Sequence, residues 1–133
     1  MSAENVAAVR AYYDAFNIGD HETAYAFLAE DFVADYSRRS IEPGIARGRE
    51  QAIAVAKAVR EAWGDLSVEP EELIERGDRV IAVVANRARG AVSGAEIGAR
   101  TAQVWTLRDG KAVRFEYFGS REEALEATGP GEP

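Results

Sequence analysis

The second half of this chain is a succession of strand-length runs, at 66–76, 79–89, 99–108 and 112–118. Gly77-Asp78 and Asp109-Gly110 are tight-turn pairs between them, and the segment around Gly90 to Gly98 is a longer loop. Strands in such a row pair with one another and leave a sheet face that something else must cover. The first half supplies the cover. Ser2 to Glu4 opens a helix in which Val6, Val9, Tyr13 and Phe16 fall on one face, and Gly19 ends it. Asp20 caps a second helix that runs to about Leu28, with Ala24, Tyr25, Phe27 and Leu28 on its apolar side. Residues 32–36 read as a short strand and 37–48 as a loop punctuated by Pro43, Gly44 and Gly48. Residues 49–63 form a third helix with a broad stripe of Ala52, Ile53, Ala56, Val59 and Trp63, closed by Gly64. A short helix follows the last strand. The order predicts an α+β fold, a curved antiparallel sheet wrapped around about three N-terminal helices, in one domain over 1–128 with a flexible tail at 129–133. Such a sheet leaves a conical pocket at its open end, the natural place for a small ligand.

Composition removes several kinds of chemistry. There is no cysteine, so disulfides, thiolate metal sites and cysteine nucleophiles are excluded. The single histidine, His21, is expected at the surface and cannot build a histidine metal cluster. No glycine-rich strand-to-helix turn offers a nucleotide site. The residues therefore predict neither metal nor cofactor. With 23 acids against 16 bases the net charge is −7, which opposes binding to nucleic acid or to anionic membranes. The first residues mix charges with apolar side chains, unlike a secretory or membrane segment, so a soluble cytoplasmic protein is the expectation.

Three pieces of the chain carry a family resemblance. They are AYYDAFNIGDHETAYAFLAEDF at 11–32, Gly48-Arg49-Glu50 at the start of the third helix, and VWTLRDGKAVRFEYFGSREEALEATG at 104–129. Together they resemble the nuclear transport factor 2-like superfamily, in particular its SnoaL-like branch. That superfamily hosts isomerases, cyclases, hydrolases, dehydratases and plain binding modules, so the resemblance speaks to fold before function. Beside ketosteroid isomerases, Tyr12 falls where the oxyanion-stabilising tyrosine stands. The general-base position there holds Tyr36, and Gln103 replaces the second oxyanion acid. Beside limonene-epoxide hydrolases, Glu116 falls on the water-activating acid and Arg87 on the central arginine. Arg89 stands where the epoxide-protonating acid belongs, and Tyr36 replaces a water-holding asparagine.

Glu116 is the sharpest candidate. Val113, Phe115 and Tyr117 share one face of the last strand and Arg114, Glu116 and Phe118 the other. By pattern alone the first face is core and the second wet. The resemblance implies the reverse, with Glu116 and Phe118 looking into the cone. On that reading Glu116 is a general base, Arg87 pairs with it or holds developing charge, and Tyr12 or Tyr36 donates to an oxyanion. The same resemblance lines the pocket with Phe16, Phe32, Ala34, Arg89, Gln103, Trp105, Arg114 and Phe118. Arg38 and Arg39 lie in the loop near the mouth, where they are expected in a solvated turn and could alternatively meet an anionic ligand. Asp35 is expected to be exposed. The outer face, with Val113, Phe115 and Tyr117 joined by Ala102 and Val104, is expected to carry a homodimer. The implied function is a cofactor-free acid/base enzyme of isomerase, cyclase or epoxide-hydrolase type acting on a mostly apolar small molecule. The alternative is a binding or interaction module of the same shape.

Overall fold

A computed structural model describes residues 2–39, 43–63, 66–89 and 96–129. The expected tail beyond Gly129, Gly64 and residues 90–95 of the long loop lie outside the described residues. Helix α1 (Ser2–Asn17) is followed by α2 (His21–Ala26), strand β1 (Leu28–Asp35), the short β2 (Ile45–Arg47) and α3 (Arg49–Trp63). Strands β3 (Ser67–Arg76), β4 (Arg79–Arg89), β5 (Glu96–Arg108) and β6 (Lys111–Phe118) come next, and α4 (Arg121–Thr128) closes the order. The six strands form one curved, open sheet in the order β2-β1-β6-β5-β4-β3. Among the described residues no helix is long and apolar enough to cross a membrane.

The α+β class is as expected, and three details are not. Helix α2 stops at Ala26, so β1 begins at Leu28 rather than at 32. A three-residue edge strand, β2, occupies the expected loop, too short to leave a periodic signal. The sheet is also not wholly antiparallel, because β1 lies parallel to β6. That pairing closes over most of the chain, as parallel neighbours require a long crossover.

Helices α1 and α3 pack on the concave side, α1 chiefly against β3 and α3 against β1. The α1 stripe of Val9, Tyr13 and Phe16 is buried there with Phe32, Val80, Ala82, Val84, Trp105 and Phe115. On the convex side α4 sets Ala124 over Ile81, Ala102, Val104 and Phe118, which form a second, smaller core. Among the described residues, the apolar side chains expected to share one outer face do not do so. Phe115 and Tyr117 pair across the sheet with Trp105 and Gln103 and share their concave face, while Ala102 and Val104 are covered by α4.

Two bulges decide which residues face in. Pro70 pairs with Val84 but Glu72 with Val83, so Glu71 is the extra residue. The shift lets Val68 and Leu73 both reach the main core while Ile74 turns outward. β3 is the sheet's edge, where Pro70 costs no ladder bond. A second shift between Thr106 and Leu107 leaves Val113 as the extra residue and keeps Ala112 and Phe115 both in the core.

The end of α1 is tied to that edge by one side chain. Asn17 donates from Nδ2 to the Val68 carbonyl at 2.9 Å and accepts the Val68 N–H at Oδ1, also at 2.9 Å. The amide thus satisfies both backbone groups of a residue that has no second strand beside it. Gly19, at φ +85°, then turns the chain out of the helix. Replacing Asn17 with Ala removes two part-buried hydrogen bonds and leaves the Val68 amide unpaired. We expect a loss of about 2 kcal/mol in urea unfolding, with Asn17→Asp recovering part of it.

Candidate functional site

Between α1, α3 and the concave sheet face lies a cavity of about 440 Å³. Its floor is Trp105, whose ring meets Tyr12 at 4.8 Å, Phe115 at 5.1 Å and Phe27 at 5.6 Å between centroids. Phe16, Phe32, Leu28 and Val68 extend the apolar wall. The packing of Trp105 between both halves of the chain fixes the shape before any ligand arrives.

Polar groups enter this apolar space in a directed chain. The Trp105 indole Nε1–H donates to the Tyr13 hydroxyl at 2.8 Å. Tyr13, accepting there, gives its own proton to Oε1 of Gln103. An indole can only donate, so the direction is set at its first link. The Gln103 carbonyl is consumed by Tyr13, which fixes the amide and leaves its NH₂ as the group offered to the cavity. On β4, Asn86 Nδ2 donates to Thr101 Oγ1 at 2.9 Å, and both residues line the same space.

Four further phenols surround this pair: Tyr12, Tyr25, Tyr36 and Tyr117. The Tyr25 hydroxyl already accepts from Arg60 at 3.0 Å. Those of Tyr12 and Tyr36 take no hydrogen bond among the described residues. Burial holds the Tyr12 ionisation well above the ordinary phenol range, reinforced by Tyr13 and Tyr36. Burial likewise raises Tyr13, against the Trp105 hydrogen bond, and raises Tyr36, against the nearby Arg39. All three stay protonated at neutral pH, so each hydroxyl can donate a hydrogen bond.

Among the described residues lining the cavity there is no carboxylate, and Arg39 is the one charged side chain. The structure does not bring Glu116 into the cone. Its direct partner is Val104, whose own partner is Ile81, and that row belongs to the convex face under α4. There Glu116 is 18% exposed, 3.8 Å from Arg38 and 3.7 Å from Arg114. Arg114 and Phe118 share that face, and Arg38 lies 4.3 Å over the Phe118 ring. Arg87 is exposed on the same side, within electrostatic reach of Glu71. It stands six residues along β4 from Ile81, about 20 Å at the strand rise, so it forms no pair with Glu116. The physical reason is register. Glu116 alternates with Phe115 and Tyr117, which are drawn inward by the aromatic floor.

The other expected positions divide cleanly. Tyr12, Tyr36, Phe16, Phe32, Gln103 and Trp105 all line the cavity. Ala34 is buried beside them without reaching it. The side chain of Arg89 lies outside the described residues. Tyr13, Tyr25, Asn86, Thr101 and Tyr117 were not among the expected site residues, and Arg39 was expected in the loop near the mouth. Asn86 did leave a trace, as the polar residue that ends the inward alternation of Val80, Ala82 and Val84. His21 is packed rather than superficial, against Phe16 at 5.4 Å and Tyr25 at 5.9 Å.

Asp35 is also buried, at 6% exposure, by the arginines that flank it. Arg114 reaches its Oδ2 at 2.9 Å and the Ser37 amide donates to Oδ1 at 2.9 Å. Burial opposes its charge, but the Ser37 hydrogen bonds, Arg114 and Arg38 outweigh that and hold the carboxyl below the usual range.

A curved sheet with helices on its concave side and an aromatic cavity between them has the fold of the nuclear transport factor 2-like class. Within it the SnoaL-like domain profile matches residues 9–115, and the chain belongs to that family. No functionally curated protein matches the sequence. Similar solved structures include TerC co-crystallized with polyporic acid, 24% identical with a TM-score of 0.77, covering 94% of this chain and 98% of that one. An NTF2-like protein of unknown function from Burkholderia pseudomallei is 25% identical with a TM-score of 0.75, over 96% and 98%. A protein assigned to the SnoaL-like polyketide cyclases from Jannaschia sp. CCS1 is 20% identical with a TM-score of 0.77, over 99% and 95%.

Because the Asp35 carboxyl is held low in the folded state, its stabilisation is complete above the unfolded value, near ~3.9, and is lost as pH falls through the folded one. Asp35→Asn should lower stability at pH 7 by about 1–3 kcal/mol and flatten the fall in stability below pH ~4, read from urea unfolding across pH.

Proposed function

We propose that the cavity binds a flat, mostly apolar carbonyl compound of polyketide type and promotes its enolisation without a cofactor, leading to aldol-type ring closure or isomerisation. The observation that carries this reading is the directed chain from Trp105 through Tyr13 to Gln103. It presents a fixed amide donor in an aromatic space that the protonated phenols of Tyr12 and Tyr36 also line. Donors held in place where negative charge develops are the strongest single contribution to carbonyl chemistry. A methylene between two carbonyls is acidic enough for its proton to pass to solvent once the enolate oxygen is held. The enolate carbon then attacks a second carbonyl, a C–C bond forms, and the new alkoxide takes a proton. The relatives assigned as polyketide cyclases support this substrate class by family likeness.

Epoxide opening needs a base and an acid together, and the described lining offers no carboxylate for either role. That same observation favours a second reading, a binding module that holds such a ligand and releases it unchanged. A homodimer through the outer face would in either case be seated on the charged surface of Asp35, Arg38, Arg114 and Glu116.

The two readings separate in one assay, deuterium exchange of the methylene of 1-phenyl-1,3-butanedione in heavy water, followed by proton NMR. The enzyme reading predicts saturable acceleration over buffer, a loss of about a hundredfold in Gln103→Leu, and no change in Glu116→Gln. Saturable binding with exchange at the buffer rate would leave only the binding module.

A further inference from the structure

Two amides line the cavity, and the fold fixes them with opposite polarity. Gln103 spends its carbonyl on Tyr13 and offers its NH₂. Asn86, on the neighbouring strand β4, does the reverse. Its Nδ2 donates to the Ala99 carbonyl at 3.3 Å and to Thr101 Oγ1 at 2.9 Å. A backbone carbonyl can only accept, so the Asn86 atom that faces Ala99 is the nitrogen. Both hydrogens of that NH₂ are then committed, and Oδ1 is what the side chain has left to offer. Thr101 accepts from Asn86, which leaves its own O–H proton to donate. Among the described residues no donor reaches Asn86 Oδ1 and no acceptor takes the Thr101 proton.

The pair therefore turns one acceptor and one donor to the cavity that both residues line. Oδ1 shares its carbon with Nδ2, so acceptor and donor lie within reach of one ligand group. A hydroxyl matches both, because it donates to Oδ1 and accepts from Thr101 at once. A ketone or an ether accepts from Thr101 but sets a second oxygen against Oδ1, and a carboxylate is opposed there in the same way. Strand register gives the distance to the other amide. Asn86 stands opposite Ala99 and Gln103 opposite Ala82, four residues apart along β4 and about 13 Å at the strand rise. Thr101, opposite Val84, lies midway. A rigid body of two or more fused rings spans that interval with a polar atom at each end.

We infer that the ligand carries a hydroxyl, received by Asn86 and Thr101, at the end remote from the carbonyl that Gln103 holds. The inference rests on the reading of the cavity as a carbonyl site and adds the group at the ligand's second end. Asn86 and Thr101 take no part in enolisation. They bind and orient, and they select a hydroxylated ligand over the O-alkylated or deoxygenated form of the same body.

The test uses three ketones with one naphthalene body: 6-hydroxy-2-acetonaphthone, its 6-methoxy analogue and 2-acetonaphthone. They are titrated calorimetrically at pH 6, where the naphthol is neutral, into wild type, Asn86→Ala, Thr101→Val and Gln103→Leu. Circular dichroism confirms that the variants fold. Wild type should bind the hydroxy ketone about tenfold tighter than the other two, the scale of one net hydrogen bond. Asn86→Ala should bind all three alike, and Thr101→Val, which keeps the shape, should lose part of the preference. Gln103→Leu should weaken all three together and keep it. Equal affinities in wild type, or a preference undiminished in either Asn86→Ala or Thr101→Val, would overturn the inference and leave the cavity reading standing. Unchanged affinities in Gln103→Leu would count against the carbonyl reading instead. Binding of none of the three to wild type would overturn both.

Discussion

The hydrogen bonds that join Trp105, Tyr13 and Gln103 are the point on which fold and site both turn. Tyr13 belongs to α1 and its two partners to β5, some ninety residues later in the chain. The same contacts therefore seat the helix on the sheet and aim an amide into the space between them. Losing the Tyr13 hydroxyl would leave the indole N–H and the amide carbonyl without a partner in a buried setting, a cost beyond that of one hydrogen bond. It would also free the Gln103 amide to rotate. Stability and the orientation of the polar group share one origin, which is how a small domain without disulfide staples can hold a donor in place.

The second organising feature is the separation of chemistry between the two faces of the sheet. The concave face is aromatic and phenolic, with Arg39 as its charge among the described residues. The convex face holds a compact network of Asp35, Arg38, Arg114 and Glu116 beside an apolar patch sealed by α4. Alternation along β6 makes this separation sharp, since neighbouring residues there stand on opposite sides. The carboxylates of Asp35 and Glu116 are paired there with Arg38 and Arg114. The cavity is left with donors, which suits the stabilisation of an oxyanion better than the removal of a proton by a strong base.

Much of this was legible in the sequence and some was not, for identifiable reasons. The stripe of Val9, Tyr13 and Phe16, the Asp20 cap and the Asp109-Gly110 turn act locally, so α1, the start of α2 and the β5–β6 turn stand where the pattern puts them. Tyr12, Tyr36, Phe16, Phe32, Gln103 and Trp105 could be gathered because the family resemblance placed them at the cone. Alternation shows which residues share a face without showing which face meets the helices, and there the family likeness pointed Glu116 inward. Register settles the matter, and register depends on bulges at Glu71 and Val113 that no local motif announces. The parallel pairing of β1 with β6 is likewise a product of the whole chain. Asp35 is buried because Arg38 and Arg114 converge on it from different elements, an encounter that a linear reading does not contain.

The central claim is that the Trp105 indole N–H is buried and committed to Tyr13, holding Gln103 in a single orientation. Nitrogen-15 NMR of the indole side chains tests it most directly. In Trp63→Phe one indole resonance remains, that of Trp105, since the chain has two tryptophans. The account predicts slow exchange of that proton with solvent, and a marked shift of its signal in Tyr13→Phe while the fold is retained. An indole proton that exchanges at the rate of free tryptophan and ignores Tyr13→Phe would contradict it.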